Sequence, residues 1–169
     1  MIDIIIAEIK KKTKTPYPTV TEEEIRNAEN ELGFSIPPLL KGIYQKVGNG
    51  GFGPGHGILG IKGGKLTDED NTIVEHYTLM CLPDKEDTFW SWPHGLLPFC
   101  DWGCAIYSCV SCLNYPYSVL WFDPNKHELG QSWDSAFMLH RISFEDWFQS
   151  WLRGENLFDE LEINKESNS

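Results

Sequence analysis

The sequence is poor in basic residues: 14 Lys and Arg stand against 25 Asp and Glu, for a formal net charge of −11 over 169 residues. Nucleic acids and anionic membranes are held by Lys and Arg that neutralise phosphate, so this balance argues against both as partners. It suits a basic partner, or it serves solubility alone. Long hydrophobic runs are missing as well, and no stretch approaches the ~18 consecutive apolar residues of a membrane span. The apolar start, Met1 to Ile9, is interrupted by Asp3 and Glu8 and is followed, not preceded, by Lys10-Lys11-Lys12. With no small-residue cleavage site either, it does not read as a signal peptide. Cysteines number five, an odd count, and sit mostly in apolar sequence. Free thiols in a reducing compartment, the cytoplasm, are the expectation.

What is present suits one globular domain with a core. Hydrophobic residues make up 41%, charged residues 23% and aromatics 13%, with 7 Trp among them. Ile2, Ile5, Ile6 and Ile9 recur at helical spacing, so the first dozen residues read as a short amphipathic helix. Thr15-Pro16-Tyr17-Pro18 breaks it. Thr21 to Glu24 has the capping-box pattern, with Ile25, Ala28 and Leu32 as the apolar stripe and Gly33 as the stop. Pro38 suits the first turn of a further helix through Val47.

Beyond Gly48 the texture changes to turns and strands. Asn49 to Gly55 is turn chemistry, Ile58 to Ile61 reads as a strand, and Thr72 to Leu82 fits helix or strand equally. Leu96–Phe99, Cys104–Cys112 and Tyr117–Phe122 read as consecutive strands, joined by turns at Asp101-Trp102-Gly103 and Asn114-Tyr115-Pro116. Ser135 to Arg141 fits a strand or a helix lead-in. Ser143 then opens a helix whose stripe is Phe144, Trp147, Phe148, Trp151 and Leu152, ended by Gly154. Helices, then strands with short connections, then a helix predict an α+β fold: an antiparallel sheet with helices packed mainly on one side. One domain over 1–154 is expected, followed by an acidic, fraying tail over 155–169.

Several segments together resemble a known family. Thr21-Glu22-Glu23-Glu24-Ile25, Glu31-Leu32-Gly33-Phe34-Ser35-Ile36-Pro37-Pro38, Tyr44 and Asn49-Gly50-Gly51 resemble the N-terminal signature of the SUKH superfamily. Leu97-Pro98-Phe99 with Asp101 and Gly103, Val119 to Asp123, and Ser143-Phe144-Glu145-Asp146-Trp147 are similar to its later segments. The likeness spans 19–152, while residues 62–95 depart from it. It implies a compact α+β protein-binding module. Many bacterial relatives are immunity proteins that neutralise a toxin, often a nuclease, and eukaryotic relatives act as regulatory scaffolds.

No catalytic set, cofactor motif or metal site emerges from the residues. Cys100, Cys104, Cys109 and Cys112 suggest zinc, but the segment between them is β-prone, and Cys109 and Cys112 would point to opposite faces of a strand. None of the five His sits in a recognisable Cys–His nucleophile context. The glycines from Gly48 to Gly64 lack the Gly-Lys-Ser/Thr ending of a phosphate loop, and no helix start follows. A partner-binding surface is the better expectation. Trp90 and Trp92 beside Asp84, Glu86 and Asp87 suit interface anchors in an acidic loop, and Asp68, Glu69 and Asp70 add charge that would steer a basic protein. The alternative is that the two rings cap the edge of the core. Three functions are thus weighed: an immunity protein for a basic toxin, a regulatory scaffold, and a zinc-binding or Cys-dependent enzyme.

Overall fold

A computed structural model describes residues 1–158 of the chain. Five strands form one antiparallel sheet in sequence order: β1 (Gly57–Ile58), β2 (Leu96–Gly103), β3 (Ile106–Ser111), β4 (Val119–Phe122) and β5 (Phe137–Arg141). Five α-helices accompany it among the described residues: α1 (Ile2–Lys12), α2 (Glu22–Leu32), α3 (Pro38–Lys46), α4 (Ile73–Met80) and α5 (Phe144–Leu152). The fold is therefore α+β with an antiparallel sheet, as the sequence order predicts.

The helix signals act as their chemistry dictates. Thr21 and Glu24 close a capping box at α2, with Thr21 N donating to Glu24 Oε2 at 2.7 Å and Glu24 N donating to Thr21 Oγ1 at 3.2 Å. Gly33 ends that helix at φ 83°. Pro38 sits in the first turn of α3. The undecided segment after Thr72 is helical, and a second capping box, Thr72 with Glu75, starts it. Ile73 and Val74 hide that start, because two β-branched residues in a row read as strand.

Two strand boundaries differ from expectation. Of the predicted strand Ile58–Ile61 only Ile58 pairs regularly, together with Gly57, and the chain then turns back through Gly60–Lys65. The predicted turn Asp101–Gly103 belongs to β2 instead. Asp101 Oδ1 accepts from Gly103 N at 2.8 Å, a local bond typical of turns, yet here it sits in an irregular strand end. The hairpin turn is Cys104-Ala105, both left-handed at φ 53° and 60°.

Both faces of the sheet are covered. Ser108 and Val110 pair with Trp121 and Val119 on one face. There Phe99 meets Phe144 and Trp147 of α5 with ring centroids 4.9 and 4.8 Å apart, and Arg141 reaches Ser150 of α5. Helix α1 lies against α5 and α3 through Ile5, Ile6 and Ile9, and Lys12 donates to the Leu152 carbonyl at the end of α5. On the opposite face Tyr107 pairs with Phe122. His76 of α4 covers Tyr107, and Trp92 packs edge-on against Phe122 at 5.0 Å. The packed chain continues past Gly154: Leu157 is buried, and Phe158 lies against Trp102 and Trp121. Residues 159–169 of the expected tail fall outside the described residues.

Left-handed backbone at a residue with a Cβ is strained by about 1–2 kcal/mol, a strain that glycine does not carry. Ala105→Gly should therefore raise stability in chemical denaturation, by about 0.5–1 kcal/mol after glycine's own entropy cost. A loss of stability would contradict the hairpin assignment.

Candidate binding face on the fourth helix

Asn49 determines where α4 begins. It is 2% exposed; its Nδ2 donates to the carbonyls of Ile61 and Lys62 at 3.2 and 3.1 Å, and its Oδ1 accepts from Ile61 N at 2.9 Å. The turn it holds presents the Gly60 carbonyl to Ile73 N, the first amide of α4, at 2.9 Å. The other end of α4 is fixed by Trp90, whose indole donates to the Met80 carbonyl at 3.0 Å. Its 8 residues make α4 about 12 Å long, and the two acidic segments singled out in the sequence flank its two ends.

Asp68, Glu69 and Asp70 lie at the N-terminal end in a tight, exposed turn closed by Thr67 and Asn71. Asp84, Glu86 and Asp87 lie beyond the C-terminal end. Asp84 Oδ1 accepts from Glu86 N and Asp87 N, which shapes the loop. Asp87 bonds Phe89 N through one oxygen and the Trp133 indole through the other, at 3.0 and 2.8 Å. Its carboxylate therefore anchors the loop to the sheet cover. Between 66 and 125 the only Lys or Arg is Lys85. A cleft of 310 Å³ between α2 and α4 adds Glu24, Glu31 and Glu75, with Lys62 as the lone cation on its walls.

The two tryptophans are placed differently from surface anchors. Trp92 is 7% exposed and donates to Leu96 O at 2.7 Å, so it belongs to the core. Trp90 is half-buried, edge-on to Trp133 at 4.7 Å. Both rings cover the hydrophobic face of β4, which consumes their apolar area. The ring left in solvent is Phe89, 52% exposed, and Leu79 and Leu82 at the end of α4 are exposed too. Sequence reasoning missed these three, because a single apolar residue in a loop or at a helix end carries no periodic signal.

At the other end, Asp68 Oδ2 lies 3.2 Å from Nδ1 of His56, a residue that no sequence motif marks. Behind this pair are buried Asp101 and Tyr107, partners across β2 and β3. Burial pushes the Tyr107 phenol above its ordinary range, with the charges of Asp101, Glu69 and Asp68 acting the same way. Burial lowers the His76 imidazole below its usual value against the pull of Glu69 and Asp101.

The cysteines do not form one cluster. Cys100, Cys109 and Cys112 are buried, whereas Cys81 and Cys104 are exposed and far apart in sequence. Burial raises Cys100 and Cys109 well above the ordinary thiol range and pushes Cys112 up to about 12. These three are small apolar groups held as thiols, poor both as nucleophiles and as metal ligands.

The fold and the acidic helix face define a compact α+β domain without a formed thiol or phosphate site among the described residues. The chain belongs to the SMI1 / KNR4 family (SUKH-1), whose model matches residues 19–150. No curated protein and no solved structure matches it. No helix among the described residues is long and apolar enough to cross a membrane.

Thiol accessibility checks the burial directly. An aromatic disulfide reagent near pH 8 should label Cys81 and Cys104 quickly in the native protein, and all five cysteines only after denaturation. Fast native labelling of Cys109 would contradict the core described above.

Proposed function

We propose that this chain is a binding protein of the immunity type, which masks a basic toxin domain, such as a nuclease, in the cytoplasm and catalyses nothing itself. Its family includes toxin immunity proteins. The observation that carries the reading is the acidic surface at both ends of α4, with Leu79, Leu82 and Phe89 exposed beside the 84–87 loop. Carboxylates of this kind speed the approach of a cationic partner and select against acidic ones, while a few exposed apolar side chains slow its departure. The rigid mounting of α4, tied at one end to Gly60 and at the other to Trp90, limits the ordering cost on binding.

The experiment co-expresses this chain with each protein encoded by the genes flanking its own that is toxic when expressed alone. Co-expression should restore growth, and the purified pair should associate one to one. The association rate should fall roughly tenfold or more between low and high salt. The side chains of Glu69 and Glu86 make no hydrogen bond or ion pair among the described residues, so Glu69→Lys with Glu86→Lys should slow association without loss of thermal stability. Absence of rescue, or association indifferent to salt and to both substitutions, would contradict the proposal. Recovery of a multi-protein assembly in place of a toxin would favour the scaffold role.

A further inference from the structure

Three side chains from separate parts of the chain converge beside the 67–71 turn. His56 comes from the glycine-rich loop, Asp68 from the turn and Asp101 from β2; one ligand atom of each lies within 4.8 Å of the other two. The convergence is built into the backbone. His56 N donates to Asp101 O at 2.8 Å, which sets the imidazole beside β2. Gly103 leaves room for it, since a Cβ there would meet His56 Cε1 at 3.0 Å.

The burial of Asp101 needs explanation. It is 2% exposed, and among the described residues no Lys or Arg pairs with it. Its Oδ1 accepts the Gly103 amide, and Asp68 stands beside it with a charge of the same sign. A buried carboxylate with another carboxylate nearby and no cation is costly unless a positive charge is supplied. A second, independent group in the same region is unsatisfied. The His76 imidazole is 7% exposed and lies 4.5 Å from the Tyr107 ring, the cross-strand partner of Asp101, and its Nε2 has no hydrogen-bond partner.

We propose that His56, Asp68 and Asp101 form a site for a divalent transition-metal ion, of which Zn²⁺ is the representative. One imidazole nitrogen with two carboxylate oxygens suits Zn²⁺ and its neighbours better than Ca²⁺ or Mg²⁺, which take oxygen alone, and the lack of thiolate disfavours Cu(I). Adjacent ligands of a tetrahedral ion stand ~3.3–3.5 Å apart for bond lengths of ~2.0–2.1 Å. The His56–Asp68 separation of 3.2 Å is close to this. Because His56 and Asp68 are exposed, their side chains have freedom to close on Asp101. The ion would tie the glycine-rich loop and the acidic turn to the sheet, at the N-terminal end of α4.

The test is Zn²⁺ titration of chelator-treated protein by calorimetry, in a Cys81→Ser, Cys104→Ser background that removes the exposed thiols. One ion per chain is expected, with a rise in melting temperature on adding Zn²⁺. His56→Gln and Asp101→Asn should each weaken binding at least about tenfold, since loss of even a supporting outer-shell group costs that much. Asp101→Asn can still accept the Gly103 amide, and His56→Gln changes an exposed residue, so a folding defect in one leaves the other decisive. No stoichiometric binding, or binding unchanged in His56→Gln, would overturn the proposal.

Discussion

The hydrogen bonds of the buried Asn49 amide hold the turn on which the second half of the chain is built. Ile61 N and Ile61 O have this side chain as partner where they are buried, and Lys62 O bonds it at the part-buried edge. A buried amide or carbonyl left unpaired costs about 1–3 kcal/mol, and this one side chain satisfies both such groups of Ile61. The surrounding glycines are required by the same contact. A Cβ on Gly60 or Gly64 would meet Asn49 O at 2.4 or 2.3 Å, and one on Gly50 would meet Ile58 O at 2.5 Å. These glycines are steric necessities of a backbone folded onto itself, which explains a glycine-rich loop with no phosphate to hold. The helix that follows, α4, inherits its starting point from this turn.

The sheet divides the molecule's labour between its faces. Aromatic packing against α5 and the covering α1 bury one face, while the other is sealed by α4 and by Trp90, Trp92 and Trp133. Because Trp90 and Trp92 help seal the second face, the acidic loop that carries them is held by core contacts as well as by the hydrogen bonds of its own carboxylates. Asp87 links the two roles, since its carboxylate fixes the loop through the Trp133 indole while adding to the negative surface. A stiff acidic surface repels itself slightly in the free protein, and that repulsion is relieved when a basic partner arrives.

Much of this was legible in the sequence, and the failures have identifiable causes. The α2 capping box, Pro38 and the α5 stripe are local signals, and each placed its helix correctly. Thr72 and Glu75 carry the same capping signature, but Ile73-Val74 competed with it. The observed hairpin turn differs from the predicted one because Asp101 makes its turn-like bond inside a strand, while Cys104-Ala105, the residues that do turn, have no turn propensity. The acidic runs at 68–70 and 84–87 were visible as composition. That they flank one helix depends on tertiary structure. Burial of Trp92 and convergence of His56 with Asp101 are likewise products of long-range packing of loops against the sheet, which no local pattern encodes.

The role assigned to α4 is tested most directly by hydrogen exchange in the complex with the toxin that this chain neutralises in co-expression. Protection on binding should concentrate in residues 67–90, spanning the acidic turn, α4 and the loop to Phe89, while amides of α1 and α5 exchange as they do in the free chain. Protection confined to α1 and α5, with 67–90 unchanged, would show that the partner docks on the opposite face and would contradict that role.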